Sequence, residues 1–352
     1  MELWTLGNAS PRGIQHVARQ NEDAGWDGLV VVDSQNLSGD CYVALAMAAA
    51  ATTRIGIGPG VTNSVTRYAA VTASAISSIQ RLSKGRAVLG IGRGDSALAH
   101  LGRAPARLSQ FETYLRHLQI YLHGDAVPFD EIDIPASVAE PVENLGLSDT
   151  PKDSSIEWMS DGQKVPVEVA ATGPMVIAIA ARHADRVMFT LGAEPERIAW
   201  GIETVRRARG EAGLDPSDIA LGAYVNCACD TDQERAREMV KGGLTTFARF
   251  SVMHGQVSGP VSADQRQILN SIHDAYDMRE HTRGDSPQAG VLTDEFIDRF
   301  AIVGSPDHCI ERLQGLQDLG LDKLILSGPV SGRRDGSQTL MESAVLPSMR
   351  RV

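Results

Sequence analysis

The stretch IGPGVTN (residues 57–63) ends a short apolar run in closely spaced glycines, and AVLGIGRGD (residues 87–95) repeats that pattern further along the chain. A third run, GLVVVD (residues 28–33), is apolar up to its final aspartate. Continuous apolar runs of this length are typical of parallel strands buried on both faces. The glycines that follow them either form tight turns or let a flat or anionic group approach the main chain.

Such runs alternate with helical patterns along the chain, and eight strands are predicted near residues 3, 30, 56, 89, 168, 188, 223 and 324. Eight β/α units predict a closed (β/α)8 TIM barrel, here a single domain over residues 1–352, with a doubly wound open sheet as the alternative. Two segments interrupt the alternation, an acidic and proline-containing one at 124–164, interpreted as an insertion with a short hairpin, and a polar, glycine-containing one at 245–295. We expect these two segments to select the substrate.

The composition excludes several classes of protein. A net charge of −11 argues against nucleic acid or an anionic membrane as a partner. The N-terminus has no basic region followed by a long apolar run, so no signal peptide is predicted, and no apolar run is long enough to span a bilayer. Four cysteines form no CxxC pair, which favours a reduced, cytoplasmic protein. No cluster of metal-ligating residues is apparent, and no metal is predicted.

The residues that follow the predicted strands are mostly glycines, hydroxyls and amides: DSQN (33–36), PGVTN (59–63), GRGD (92–95) and ATGP (171–174). In a barrel these residues meet at one mouth, the usual position of an active site. Main-chain groups without a Ser-His-Asp set or a metal site suit cofactor binding better than nucleophilic catalysis. The run GIGRGD lacks the third glycine of a dinucleotide-binding turn, so a Rossmann fold is disfavoured.

Three stretches resemble a known family. GPGVTNSVTRYAAVTASAISSIQRLSKGRAVLGIGRGD (58–95), ATGPMVIAIAARHADRVMF (171–189) and FAIVGSPDHCIERLQGLQDLGLDKLIL (300–326) are similar to methylenetetrahydromethanopterin reductases. Those enzymes belong to the bacterial luciferase-like superfamily of flavin- and deazaflavin-dependent oxidoreductases. The resemblance covers the chain except the 124–164 segment and parts of 245–295.

The resemblance implies a luciferase-like TIM barrel that holds the ring of FMN or coenzyme F420 at its mouth, in a homodimer. It also implies a non-prolyl cis peptide, here Gly60–Val61, behind the ring, and a phosphate site at the ATGP turn with Arg93 beside it. The predicted cofactor-binding residues are Asp33, Gly60, Val61, Thr62, Arg93, Gly94, Ala171, Thr172, Gly173 and Pro174.

Three functions are consistent with these observations. We favour a monooxygenase that uses reduced FMN and O2 to oxidise a small organic substrate, with the reduced FMN supplied by a separate flavin reductase. The reason is that Arg93 replaces a proline common in the F420-dependent reductases and suits a compact phosphate such as that of FMN. The alternatives are an F420-dependent reductase or dehydrogenase and a non-catalytic flavin-binding barrel. Many relatives carry a histidine just after the second strand, which the DSQN stretch lacks.

The amides Asn63, Gln35 and Asn36 are predicted to hydrogen-bond the ring edge or the oxygen species, as the catalytic residues of the site. His254, in the segment after the seventh strand, is predicted to face the substrate.

Overall fold

The computed structural model describes residues 1–159, 163–253, 255–328 and 339–350. Within these residues the chain forms twelve strands, most of which are parallel neighbours in one sheet. They are β1 (Glu2–Gly7), β2 (Gly28–Val31), β3 (Gly56–Pro59), β4 (Thr62–Asn63), β5 (Leu89–Gly92), β6 (Val127–Pro128), β7 (Asp153–Ser154), β8 (Val167–Ala171), β9 (Arg186–Phe189), β10 (Ala220–Cys229), β11 (Ile302–Gly304) and β12 (Lys323–Ser327).

The main sheet closes into a barrel. Its strand order is β3, β2, β1, β12, β10, β9, β8, β5 and β4, so that neighbours in the chain are mostly neighbours in space. A parallel bridge between Ile57 and Ala87 joins β3 to the residues before β5, where the Val88 N–H donates to Ile57 O at 2.9 Å. The predicted (β/α)8 barrel is therefore confirmed, and all eight predicted strands are present. Two short strands were not predicted, β4 and β11.

The helices between the strands pack outside the barrel. They are α1 (Ile14–Ala24), α2 (Cys41–Ala51), α3 (Ala69–Ser83), α4 (Ser96–Ala99), α5 (Leu108–His123), α6 (Pro174–His183), α7 (Pro195–Glu211), α8 (Gln233–Phe250), α9 (Ala263–Ala275), α10 (Asp294–Phe300), α11 (Pro306–Asp318) and α12 (Leu346–Met349). The 245–295 segment therefore starts inside α8 and is largely helical.

The 124–164 segment contains the predicted short hairpin, in which β6 and β7 pair antiparallel. It connects the C-terminal end of α5 to the start of β8. A helix that follows a barrel strand returns the chain to the N-terminal face, so this segment lies at the end of the barrel opposite the mouth. The expectation that it selects the substrate is wrong for its described residues, because none of them lines the cavity at the mouth.

The interior of the barrel is filled by side chains toward the N-terminal ends of the strands. Trp4 fills it so completely that an added Cβ would lie 1.9 Å from the Trp4 ring at Gly28 and 2.5 Å from it at Gly56. Below Trp4, the buried Lys323 Nζ lies 2.8 Å from both carboxylate oxygens of the buried Glu168 and 3.3 Å from the centroid of the Trp4 ring. The interior glycines of β2 and β3 are thus explained at this level by packing, and the open space lies at the C-terminal ends of the strands.

Candidate functional site

A cavity of about 320 Å³ occupies the mouth of the barrel. Its floor and one wall come from the ends of β3, β5 and β8, and its opposite wall comes from α8 and the loop that follows α9. The volume lies within the range of small-molecule sites, about 300–1,000 Å³. Position, depth and lining therefore identify this cavity as the candidate active site.

The peptide bond between Gly60 and Val61 is cis, as the resemblance implies, and both residues line the cavity. Gly60 packs so closely on β2 that a Cβ there would lie 2.4 Å from Val30 Cγ2. Gly92 faces the same space on β5, and a Cβ there would meet Val61 Cγ2 at 3.3 Å. The two glycines thus have different roles, since the one at 60 satisfies packing while the one at 92 keeps the cavity open.

Asp33 holds the residues after the cis bond in place. Its Oδ2 accepts hydrogen bonds from Thr62 Oγ1 and from Arg67 Nη1, both at 2.7 Å. Burial lowers the pKa of Arg67, but Asp33, Tyr42 and Asp40 more than offset this, so its pKa is raised and it stays charged. Two of the predicted cofactor-binding side chains, Asp33 and Thr62, are therefore bonded to each other, and only Asp33 lines the cavity.

Asn63 is both a turn residue and a donor to the cavity. Its Oδ1 accepts from the N–H groups of Val65 and Thr66, each at 3.0 Å. Its Nδ2 is buried and has no hydrogen-bond partner in the part of the chain that the structure describes. Because the oxygen is fixed by the turn, the side chain presents only N–H groups to a ligand.

Gln35 and Asn36, the other two predicted catalytic amides, are exposed and do not line the cavity. Gln35 Nε2 donates to Asn36 Oδ1 at 2.8 Å and to the carbonyl of Ala97 at 2.9 Å. Ser34 lines the cavity instead. The structure does not bring these two amides to the ring site, because the chain turns outward after Ser34.

The ATGP turn leads into α6 at one end of the cavity. Gly173 is the N-cap of this ten-residue helix and Pro174 its first residue, so the free N–H groups of the first turn face the end that Gly173 and Val176 line. Thr172 also lines the cavity, and its hydroxyl is hydrogen-bonded to Thr190. Ala171 packs in the core outside the barrel, and neither it nor Pro174 lines the cavity. This end suits an anion.

Arg93 and Gly94 line the cavity too. Arg93 Nε donates to the carbonyl of Ala106 at 2.7 Å, and burial lowers the pKa of the guanidinium. Among the described residues no carboxylate pairs with it, so a half-buried positive charge faces a site that also receives helix N–H groups. Gly94 has a φ of +89°, and a Cβ there would lie 2.6 Å from Leu98 Cδ1, so its identity is fixed by the backbone.

The opposite wall is apolar and was not predicted in detail. Phe247, Phe250 and Met253 line it, and Phe247 stacks on Tyr224 with ring centroids 6.1 Å apart. Tyr224 also lines the cavity; burial raises its pKa, and its buried hydroxyl has no hydrogen-bond partner in the described structure. The predicted substrate residue His254 lies outside the described residues.

A charged network above the cavity was also missed. Asp95 Oδ1 accepts a hydrogen bond from Arg249 Nη2, whose guanidinium lies 4.5 Å from the centroid of the Tyr276 ring. The Tyr276 hydroxyl is 2.7 Å from His281 Nδ1, and both Asp95 and His281 line the cavity. Asp95 belongs to the quoted GRGD run, but no local pattern connects it with residues more than 150 positions away.

A parallel β/α barrel whose mouth is lined by main chain, with an anion site at one end, is the architecture of a cofactor-dependent barrel enzyme. The model of the luciferase-like monooxygenase family matches residues 3–323, and the chain belongs to that family as a luciferase-like oxidoreductase. Within the described ranges no helix is long and apolar enough to cross a membrane, and no group of three or more potential metal ligands occurs.

The chain is similar to two 5,10-methylenetetrahydromethanopterin reductases. It is 26% identical to that of Methanolobus tindarius, with 95% of each chain covered, and 28% identical to that of Archaeoglobus fulgidus, with 96% of each covered. Among solved structures, the coenzyme F420-dependent tetrahydromethanopterin reductase of Methanopyrus kandleri superposes with a TM-score of 0.72 at 21% identity, over 99% of both chains. A long-chain alkane monooxygenase superposes with a TM-score of 0.66 at 14% identity, over 100% of this chain and 91% of that one.

Proposed function

We propose that the protein is an F420-dependent reductase or dehydrogenase that transfers a hydride between the deazaflavin and a small organic substrate. The similarity to methylenetetrahydromethanopterin reductases, which extends over nearly the whole of both chains, supports this function over the FMN-dependent monooxygenase that the sequence favoured. F420-dependent glucose-6-phosphate dehydrogenases, at 26% identity over 97% of this chain, point the same way. The likeness to monooxygenase structures, at 14–17% identity, supports the fold alone.

The single observation on which the proposal rests is the seat at the barrel mouth, formed by the Gly60–Val61 cis bond and by Gly92. Backbone without side chains lets a planar ring lie flat, and the buried Asn63 Nδ2 lacks a partner that a ring carbonyl or ring nitrogen would provide. Arg93 and the first turn of α6 lie at the cavity end that suits a phosphate. The residues present therefore fit such a cofactor.

When bound, the reduced deazaflavin supplies the hydride. The chain's own residues bind, orient and exclude water. Asn63 donates to the ring edge, Arg93 neutralises the phosphate, and the apolar wall of Phe247 and Phe250 excludes water from the reacting face. The Asp33–Thr62–Arg67 hydrogen bonds keep the ring seat rigid.

The test is a comparison of cofactors on the purified protein. Titration with F420 and with FMN, followed by fluorescence, should show tighter binding of F420. Mixing the reduced-FMN complex with O2 in a stopped-flow instrument should show no flavin–oxygen adduct absorbance. Preferential binding of FMN together with that absorbance would refute the proposal and restore the monooxygenase, whose supporting observation is the compact anion site beside Arg93.

We also infer a homodimer and a reducing compartment. The helix α2 is apolar on all faces, yet Val43 on it is 53% exposed, as are Tyr68 (52%) and Val71 (52%) before and on α3. An apolar helix of this kind is normally covered, and a second copy of the chain is the partner that the resemblance implies. All four cysteines are buried, and none of them forms a disulfide bond in the described structure; cysteines kept as thiols are typical of a reducing compartment. Sedimentation of the purified protein tests the dimer, and a monomer would refute it.

A further inference from the structure

His281 is the histidine that faces the cavity among the described residues. It lies in the loop after α9, on the wall opposite the Gly60–Val61 bond, and no sequence pattern distinguishes it from the other eight histidines. Its Nδ1 is bonded to the Tyr276 hydroxyl at 2.7 Å, while its Nε2 has no protein partner in the hydrogen bonds of the described structure. One ring nitrogen is therefore held and the other is left for a ligand.

The direction of the Tyr276–His281 bond follows from the chemistry of the two groups. A phenol is a stronger acid than a neutral imidazole N–H, so the hydroxyl donates to Nδ1. The competing acceptor, Thr246 Oγ1, is more distant at 3.4 Å. Arg249, which has donors only, lies against Tyr276 and stabilises negative charge on its oxygen. With Nδ1 accepting, the proton of the neutral imidazole is on Nε2, the atom left for a ligand.

Several charged groups face the imidazole. Burial lowers the pKa of His281, the nearby Asp95 raises it, and Arg249 and His100 lower it further. The net effect is a pKa below the ordinary value, so the ring is neutral near pH 7. Burial also raises the pKa of Tyr276, and the opposing effects of the Thr246 contact and of the Arg249 charge do not cancel it, so the phenol keeps its proton.

We propose that His281 is a catalytic residue that donates the Nε2 proton to the oxygen of a substrate carbonyl, and that Tyr276 is the positioning residue that sets its tautomer and replaces its proton. This role rests on the proposed hydride transfer. As the hydride and its electron pair form the new C–H bond, the carbonyl π bond breaks and its oxygen takes the Nε2 proton. His281 Nδ1 takes the Tyr276 proton at the same time, which leaves a neutral Nδ1–H imidazole and a phenolate beside Arg249. A solvent proton then adds to Nε2 as the Nδ1 proton returns to the Tyr276 oxygen, so that the donating tautomer is restored.

The inference also identifies the substrate class. Beside the apolar side chains of Phe247, Phe250 and Met253, the cavity presents the neutral imidazole of His281. A compact, largely apolar ketone or aldehyde satisfies both, and the corresponding secondary or primary alcohol does so in the reverse direction. The histidine absent from the DSQN stretch is then replaced from another wall of the same cavity.

The experiment is nuclear magnetic resonance of the full chain labelled with ¹⁵N-histidine, between pH 5 and 8. His281→Gln assigns the signals of His281, and His273→Gln, at an exposed histidine on α9, is the matched control. We expect the neutral Nε2–H tautomer of His281, with a pKa below the ordinary value for histidine. Tyr276→Phe should shift the tautomer toward an equilibrium mixture, an effect that a purely structural tyrosine would not produce. An Nδ1–H tautomer, or one unchanged in Tyr276→Phe, would overturn the proposal.

A second measurement uses cyclohexanone as the carbonyl probe, added to the F420 complex. The Nε2 signal should shift on addition, and His281→Gln should bind F420 within about twofold of the wild-type dissociation constant. An unchanged Nε2 signal would overturn the role of His281. Failure of the wild type to bind F420 at all would instead refute the proposed function, since the tautomer of the free protein is measured independently.

Discussion

Replacing Gly92 by alanine separates the fold of this protein from its ring site. The added Cβ would lie 3.3 Å from Val61 Cγ2 and 3.9 Å from Ala170 Cβ, which is close to ordinary contact, and all three residues line the cavity. Backbone atoms are not displaced by such a methyl group. The methyl group projects into the space in front of the cis bond, where we place the ring.

The two effects of this substitution have different magnitudes. On stability, overpacking costs about 1–3 kcal/mol, here the lower figure because the 3.3 Å contact is with a side chain. The smaller entropy of an unfolded chain without that glycine returns about 0.4–1 kcal/mol, so the net change is small. On binding, a methyl group displaces a ring that packs at about 3.5–4 Å. Displacement costs its dispersion contacts and the hydrogen bond from Asn63, about 0.5–1.5 kcal/mol for the bond alone.

We therefore expect the F420 dissociation constant of Gly92→Ala to rise about tenfold to a hundredfold, equivalent to about 1.4–2.8 kcal/mol, with an unfolding midpoint close to that of the wild type. The assays are fluorescence titration with F420 and thermal unfolding followed by circular dichroism. The contrasting variant is Gly58→Ala, whose Cβ would lie 2.3 Å from the carbonyl oxygen of Val88 in the seam between β3 and β5.

Gly58→Ala should lose stability, because a backbone oxygen cannot move without breaking the barrel seam. A cost of about 3 kcal/mol, with about 2.1 cal/mol/K per residue of unfolding entropy, lowers the midpoint of a chain of 352 residues by about 4 °C. The reasoning is refuted if Gly92→Ala binds F420 as tightly as the wild type, since the ring would then lie elsewhere.

Three further predictions concern charged groups. Arg93→Gln should weaken F420 binding about tenfold and make it less dependent on salt, because a half-buried cation without a carboxylate partner is removed. If the F420 dissociation constants of the two proteins depend equally on salt concentration, Arg93 does not bind the phosphate. Lys323→Met leaves the buried Glu168 without its ammonium partner and should lower the free energy of unfolding, measured in urea, by about 3–5 kcal/mol. The smaller figure is expected because Arg186 Nε remains 3.3 Å from Glu168 Oε1. An unchanged free energy of unfolding would show that the pair adds nothing. Burial raises the pKa of Glu22, but hydrogen bonds from the N–H groups of Ile55, Arg54 and Thr53 outweigh it and bring the pKa below its ordinary value. The stabilisation by Glu22 is therefore present above about pH 4.3 and is lost as the pH falls through the lower pKa of the folded state. Urea unfolding from pH 3 to 7 should show that the free energy of unfolding of Glu22→Gln depends less on pH than that of the wild type, and parallel curves would disprove it.

The strands of the barrel were predictable because each is a continuous apolar run between turn residues, and burial on both faces leaves that pattern directly in the sequence. The same logic failed for β4 and β11, which have two and three residues. Runs so short contain no periodicity, and only pairing with β5 and β10 makes them strands. Cys227 and Cys229, two positions apart in β10, are both buried, because alternate residues of a strand point the same way.

The site was predictable only where it consists of main chain. The cis bond was implied by the family resemblance, and the helix start at Gly173 was indicated by the ATGP turn. The direction of a side chain, in contrast, depends on which way the chain turns. Ser34 therefore lines the cavity and its neighbour Gln35 does not. The Arg249–Tyr276–His281 network had no sequence signal. Arg249 comes from α8, Tyr276 and His281 come from the end of α9 and the loop after it, and they meet Asp95 only in the folded barrel.

The question raised by the glycines has two answers in one barrel. At the lower level they make room for Trp4, which sits on the Glu168–Lys323 pair and closes the N-terminal end. At the upper level a Cβ on Gly92 would make one tight contact, with Val61 Cγ2 at 3.3 Å, which a small shift of the Val61 side chain toward the cavity would relieve. Packing against Trp4 explains the glycines of the lower level, and a larger residue at either Gly28 or Gly56 would destabilise the fold. Only the glycine of the upper level requires a ligand, and the space in front of it is where a flat cofactor fits.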